Sequence, residues 1–308
     1  MKKAYCLFIL ALGICFPQTA WSQDDNQPAS EQGSETITLP TVEVRGQVRR
    51  EELESTSATV LDNEDIIDRV YISPLDILKL SPGVTITQYG ESGLAAQVRM
   101  RGFTGGHSSD VAMFLDGIPL HDGGHSDGYV DTNLINPIEI ESVEIIKGPA
   151  SVYYGNHSSG GAAAFQSYKA GDFTRLRLNY GSYNTVDTSG ILARQSEKLD
   201  QVYAFQVFHS DGWRDNSDWD KQNFSARWTY QFTEKFSASL NLRAFHSEWD
   251  SPGYIPDFQS PSSAVDDGSG QGNGGKRTRY DGRLWANYEF NDESQLTFYS
   301  FMTDLDIR

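Results

Sequence analysis

The sequence predicts an α+β domain, a small mixed sheet with short helices, followed by antiparallel transmembrane β-barrel strands, with the barrel incomplete in the 308 residues. Three observations predict it. Residues 55–168 mix short apolar strand candidates with helix caps and sharp Gly and Pro breaks. From about residue 172, apolar and polar residues alternate strictly over stretches of about ten, as a strand with one lipid-facing and one wet face requires. The chain also opens with a secretory signal, which places the strands outside the cytoplasm.

Residues 1–22 supply that signal: Lys2 and Lys3, an apolar run over 4–16, and Ala20-Trp21-Ser22 at the cleavage site. The run is shorter than the about 20 residues needed to span a bilayer. Cys6 and Cys15 both lie within it, so the mature chain carries no disulfide, no thiol catalyst and no Cys-based metal site. The net charge is −17, from 25 Lys plus Arg and 42 Asp plus Glu. That acidity argues against a nucleic-acid partner, which requires clustered cations.

Residues 23–54 read as a flexible segment. Within it, residues 36–44 (TITLPTVEV) form an isolated β-prone stretch suited to adding a strand to a partner's sheet edge. In the α+β domain, Asn63-Glu64-Asp65 caps a short helix, and Ser73-Pro74 starts another with Leu75, Ile77, Leu78 and Leu80 on its apolar face. That helix stops at Ser81-Pro82-Gly83, before a strand over 84–87. Strands over 111–115 and 143–146 run into the turns Asp116-Gly117 and Lys147-Gly148-Pro149. The alanine-rich stretch 162–168 is expected to pair less securely than a β-branched strand.

Seven alternating strands are expected at about 172–180, 185–194, 201–210, 221–232, 236–247, 278–290 and 295–304. Their connections alternate, with one exception at 181–184, between short turns and longer polar loops, the membrane-barrel pattern that puts the long loops outside. All five Trp of the mature chain fall in this half and are expected near strand ends in interfacial girdles. A soluble sandwich fits less well, because the charged face persists with no second apolar core to pack against.

The phrases Arg101-Gly102-Phe103, Leu115-Asp116-Gly117-Ile118-Pro119, Ile140-Glu141-Ser142-Val143-Glu144, Lys147-Gly148-Pro149-Ala150-Ser151 and Tyr154-Gly155 with Gly160-Gly161 occur in order within about sixty residues. Together with SPLDILKLSPGV, they resemble the plug domain of the TonB-dependent outer-membrane receptors over residues 36–168. The resemblance implies a plug over 55–168 and the first strands of its barrel over 169–308. Seven strands fall short of the 22 of large plugged transporters, so the chain is expected to be the N-terminal part of a longer receptor. The resemblance also implies a TonB box near 36–44, with Thr36, Ile37, Thr38, Leu39, Val42 and Val44 pairing with the energy-transducing complex. Arg101 and Lys147 would lock the plug to wall carboxylates, Lys147 less firmly because it lacks the bidentate fork of Arg.

Two loops, 104–110 and 121–131, are expected to face the incoming ligand through His107, Asp110, His121, Asp122, His125 and Asp127. Of these, His107, His121, His125 and Asp127 are candidate metal ligands. His157, in a separate loop, reads as structural. Ser108, Ser109, His107 and Asp110 are mere sequence neighbours rather than a triad, and no catalytic fingerprint appears, so no enzyme activity and no cofactor are expected. The expected function is active uptake, across the outer membrane of a Gram-negative cell, of a scarce chelated nutrient, foremost a ferric siderophore, with cobalamin, haem or another metal complex as alternative ligands. The expected partners are the TonB complex, outer-membrane lipid and a small metal chelate, with the receptor a monomer. A truncated, non-transporting remnant or a plug-like binding module is the alternative reading.

Overall fold

The computed structural model describes residues 58–67, 69, 71, 73–88, 96–103, 110–121, 130–149, 154–155, 157–252, 273–291 and 294–308, all within one compact unit spanning residues 43–308. The signal sequence and the stretch 36–44 lie outside the described residues.

The first domain opens with β1 (Ala58–Asp62) and the short helix α1 (Asn63–Ile67). The helix expected after Ser73 forms as a 3-10 helix, Pro74–Leu80. Ser73 caps it: its hydroxyl accepts from the Leu75 amide while the Asp76 carboxylate accepts from the Ser73 amide. A hairpin of β2 (Val84–Gln88) and β3 (Ala96–Met100) follows. The main sheet then collects β4 (Val111–Leu115), β5 (Ile118–Pro119), β6 (Ile140–Lys147) and β7 (Gly161–Ser167) in the order β1-β6-β7-β4-β5. Ile77, Leu78, Val111, Met113, Ile145 and Phe165 are fully buried on one face of this sheet. The other face is small and largely alanine, with Ala112, Ala162 and Ala164 packed under Tyr154.

The expectation for the alanine strand is corrected. β7 is central, paired antiparallel with β6 and parallel with β4, and every residue in it is buried. Two complete ladders and full burial outweigh modest β propensity. Its first residue requires glycine: Gly161 has φ +145, and a Cβ there would lie 2.3 Å from the Ile146 carbonyl oxygen.

All seven alternating strands are present, as β8 (Phe173–Tyr180), β9 (Val186–Gln195), β10 (Leu199–Ser210), β11 (Trp219–Thr233), β12 (Phe236–Asp250), β13 (Gly274–Asn291) and β14 (Ser294–Ile307). They form one antiparallel meander in chain order. β13 starts four residues earlier than expected, because Gly274, Gly275, Lys276 and Arg277 continue the ladder opposite Ser247–Asp250. Composition alone made that stretch look like loop.

One face of this meander turns toward the first domain and the other away from it. The inward face is polar and buried: Lys221 is 1 % exposed, and Arg227, Arg277, Arg279 and Arg283 are 5–6 % exposed. The outward face is apolar and open, with Leu176 at 74 % and Leu178 at 71 %. This inversion of soluble-protein burial is what lipid outside and a filled lumen inside would produce. The aromatic expectation needs correction, however. Trp219 and Trp285 point inward and are buried. The outward aromatic band at the short-turn end is made by Tyr230, Phe232, Phe236, Tyr288 and Phe290, whose consecutive rings lie 4.7–6.4 Å apart.

Candidate functional site: a buried ion lock between domain and wall

The tight turn joining β4 to β5 puts Asp116 and Gly117 at φ +53 and +80, the paired positive values of a two-residue hairpin. Leu115 and Ile118 face each other across it. The turn delivers the Asp116 carboxylate, fully buried, into the inward face of the meander. One oxygen accepts from the Ser167 amide at 2.9 Å. The other accepts from the Ser167 hydroxyl at 2.8 Å, Asn241 Nδ2 at 3.2 Å and Arg243 Nη2 at 3.0 Å. Arg227 Nη2 adds an ion pair at 2.9 Å without hydrogen-bond alignment. Burial pushes this carboxyl up, but Arg227, Arg243 and Arg283 with the Ser167 amide overcome it and hold it well below the usual range. It is an anion at any physiological pH.

Two further carboxylates complete the lock. Glu139 accepts from Arg243 Nη1 and from the Ser225 hydroxyl. Asp131 takes Arg277 Nη1 at 2.6 Å with one oxygen and the Asn133 amide with the other. Neutral ties run alongside: Asn223 Nδ2 to the Asn133 carbonyl, Arg279 Nη2 to the Pro119 carbonyl, and the Tyr299 hydroxyl to the Gly117 carbonyl. A cavity with room for about one water sits beside Glu139 and Arg243. At the other side, Arg175 and Arg177 on β8 reach Asn63 and the carbonyls of Ile67 and Arg69, anchoring α1.

Arg101 and Lys147 are placed differently from the lock. Arg101 is exposed with φ +50. Lys147 donates to Thr59 Oγ1 at 2.9 Å, Ser81 Oγ at 3.3 Å and the Pro82 carbonyl at 3.2 Å, all within the first domain. Burial and then the charge of Arg101 lower its amine pKa. In the ion pairs that cross from domain to wall among the described residues, the cations stand on the wall and the carboxylates on the domain.

Of the expected ligand-facing residues, His107, Asp122, His125 and Asp127 lie outside the described residues. Asp110 accepts from the Ser159 hydroxyl at 3.1 Å. His121 stands at the root of its loop, bridged to Val130, with its ring stacked on His157 at 4.4 Å. Burial, then the neighbouring His157, lowers its pKa to about 4 against a hydrogen bond to the Val111 backbone. It is neutral at pH 7, and its buried Nε2 has no partner among the described residues. No group of three His, Cys, Asp or Glu close enough to hold a metal occurs among those residues. The loop root lies toward the long-loop end of the wall, since Arg277, which holds Asp131, is only three residues from the start of β13.

The family model for the TonB-dependent receptor plug domain matches residues 51–162. Residues 51–162 are a TonB-dependent receptor plug domain. The plug and the first wall strands of such a receptor account for the two parts of the fold. The chain is 27 % identical over 213 residues to a vitamin B12 transporter, BtuB, of Vibrio vulnificus, covering 64 % of this chain and 34 % of that protein. It is 24 % identical over 269 residues to a hemin receptor of Yersinia pestis, covering 82 % and 39 %. The crystal structure of the ferric yersiniabactin uptake receptor FyuA of Yersinia pestis superposes with a TM-score of 0.69 at 16 % identity, covering 84 % of this chain and 42 % of that one. The plug thus spans a little over a third of the chain, and the chain spans between a third and two fifths of the length of these curated relatives.

The lock residues were missed at the sequence level because each had an ordinary local explanation. Asp116 read as turn chemistry, and the arginines read as a solvated face. A signal was present: Arg277, Arg279, Asp281 and Arg283 alternate on one strand face, a charge density that needs partners if that face meets a folded domain.

Proposed function

We propose that this chain forms the plug and leading wall of an outer-membrane receptor for active uptake of a scarce chelated nutrient. A ferric siderophore is the favoured ligand, and cobalamin or haem the alternatives suggested by the relatives. The observation that carries the reading is the inside-out wall packed on a plug through buried ion pairs. Such an interface closes a pore and releases only when work is done on it.

In this reading residues 1–22 direct export, and ligand is taken up between the long wall loops and the plug loops 104–110 and 121–131, with His107, Asp110, His121, Asp122, His125 and Asp127 within reach. The neutral His121 with a free Nε2 lone pair suits a metal-bearing ligand. Ligand binding exposes the segment 36–44 to the transducer, which pairs with it as an added strand and supplies the work. Deleting residues 36–44 is expected to abolish uptake and spare ligand binding. Uptake that survives the deletion removes the coupling role. Growth of the strain under iron, cobalt or haem restriction, with and without the gene, identifies the ligand.

A further inference from the structure

The lock leaves part of the wall's hydrogen-bonding capacity unused. In the register of the meander, Arg227, Asn241 and Arg283 stand directly opposite one another on β11, β12 and β13, and all three point inward. Asp116 takes Arg227 and Asn241 of this row, together with Arg243. Arg283 is left over: no ion pair to it occurs among the described residues, and its Nε, in a side chain about 94 % buried by its residual exposure of 6 %, has no hydrogen-bond partner there. Two residues along, on the same face and toward the short turns, Trp285 is 5 % exposed with its indole Nε1 also unpartnered. Tyr299, opposite Trp285, lies under the Arg283 guanidinium at 5.0 Å from ring centre to Cζ. Two buried N–H donors, one of them cationic, therefore stand two residues apart on the inward face, in the strand whose Arg283 lies level with Arg227, a partner of Asp116.

Unpartnered donors in a dry interface are costly, and a native structure retains them where something else is to be bound. The surroundings specify the charge of that partner. The inward faces of β11 to β13 carry six buried cations, Lys221, Arg227, Arg243, Arg277, Arg279 and Arg283, and one buried carboxylate, Asp281. Among the described residues the plug answers these with Asp116, Asp131 and Glu139, so across these three strands six buried cations meet four buried carboxylates. Asp116 already demonstrates that this row accepts an oxyanion.

We infer that Arg283 and Trp285, with Arg227 alongside, form a second binding station at mid-height in the lumen for the anionic oxygens of a passing ligand. The station rests on the uptake reading above and adds the chemistry of the cargo to it: a chelate bearing carboxylate or similar oxyanion groups. When the plug shifts, Asp116 withdraws, and the ligand's own anion takes over Arg227 while Arg283 and Trp285 supply the remaining donors.

The test uses the purified protein in detergent, with indole-nitrogen-labelled tryptophan, citrate as carboxylate probe, inorganic phosphate as second oxyanion and glycerol as neutral control. Citrate is expected to shift the Trp285 indole N–H signal, assigned by its loss in Trp285→Phe, and glycerol to leave it in place. Arg283→Gln should abolish the shift, and Asp116→Asn, which removes the competing plug carboxylate, should tighten citrate binding by about tenfold, one charged hydrogen bond's worth. A Trp285 signal unmoved by citrate and phosphate in wild type and in Asp116→Asn overturns the station, as does a shift that persists in Arg283→Gln. Should Asp116→Asn fail to fold, Asp116→Gly, which suits the backbone at φ +53 and also removes the competing carboxylate, takes its place. Phosphate binding without citrate binding also overturns it, by assigning the donors to a small inorganic anion. None of these readouts needs energised uptake, so an inert station with intact uptake removes this inference alone. A working station with uptake indifferent to residues 36–44 removes the coupling reading alone.

Discussion

Asp116 is constrained twice, by a backbone at φ +53 that favours Asp, Asn or Gly and by a carboxylate that meets Arg227, Arg243 and Asn241. Asp116→Asn keeps the turn and strips the charge, leaving guanidinium groups unbalanced in a buried interface, a loss of about 3–5 kcal/mol. The expected outcome is protease cleavage of the plug at lower temperature than in wild type, and an unchanged cleavage profile would show that the lock contributes nothing. The depressed Asp116 pKa gives a sign for acid. Its stabilisation is fully present above the ordinary carboxylate pKa and is lost as pH falls below that toward the folded value. Glu144 has the opposite sign. It is buried beside Tyr154, whose hydroxyl lies 3.3 Å from its Oε1, and burial lifts its pKa to about 7 against that hydrogen bond. The unfolded chain ionises this group near 4.5 and the fold resists until about 7, so the plug loses stability as pH rises between the two. Glu144→Gln is expected to raise the plug's melting temperature by a few degrees at pH 7.5 and to change little at pH 4. An equal effect at both pH values would refute a neutral buried Glu144. Gly161→Ala meets the Ile146 carbonyl and a forbidden φ together, for about 2–4 kcal/mol, read as a lowered plug melting temperature.

At the scale of elements, one hairpin does most of the holding. β12 supplies Asn241 and Arg243 to Asp116 and Glu139, and β13 supplies Arg277 to Asp131 and Arg279 to Pro119. The two locks should separate under mutation. Arg277→Met is expected to speed amide exchange at Asn133, where the Asp131 carboxylate loses its cation, and to leave the Ser167 amide protected. Arg243→Met should do the reverse, and equal exchange at both amides in both variants would mean that the interface opens as a single unit. The elements themselves were legible. The wall strands were readable because an open apolar face and a buried polar face impose a period of two. The plug strand 111–115 was bounded correctly by the Asp-Gly break. What the sequence could not show was partnership across long separations. Asp116 and Arg243 are 127 residues apart, and no local pattern ties an Asp in a turn to an Arg on a polar strand face. Lys147, expected to lock the plug to the wall, donates to Thr59 and Ser81 inside the plug. The alanine strand was misjudged because propensity ignores that β7 is buried between two neighbours.

For the whole molecule, the inversion of burial predicts an inversion of mutational tolerance. In a soluble protein, arginine is harmless at an open position and ruinous at a closed one. Here Leu242 is 42 % exposed on the outward face of β12, directly between Ala226 and Gly282, and about midway along the strand. Ser239, on the same strand, shares the inward face with Asn241 and Arg243, beyond the lock toward the short turns. An arginine at 242 must sit in hydrocarbon if that face meets lipid, costing about 2–4 kcal/mol near the midplane. An arginine at 239 enters the polar lumen beside Thr229, where it can be solvated. Leu242→Arg is therefore expected to reduce the folded, heat-modifiable fraction recovered from outer-membrane preparations severalfold, and Ser239→Arg to leave it near wild type. A water-soluble sheet predicts the opposite ranking, because the open position would then carry the charge freely and the closed one would not. The ranking of the two variants thus decides between a bilayer and water on the outward face without reference to any ligand.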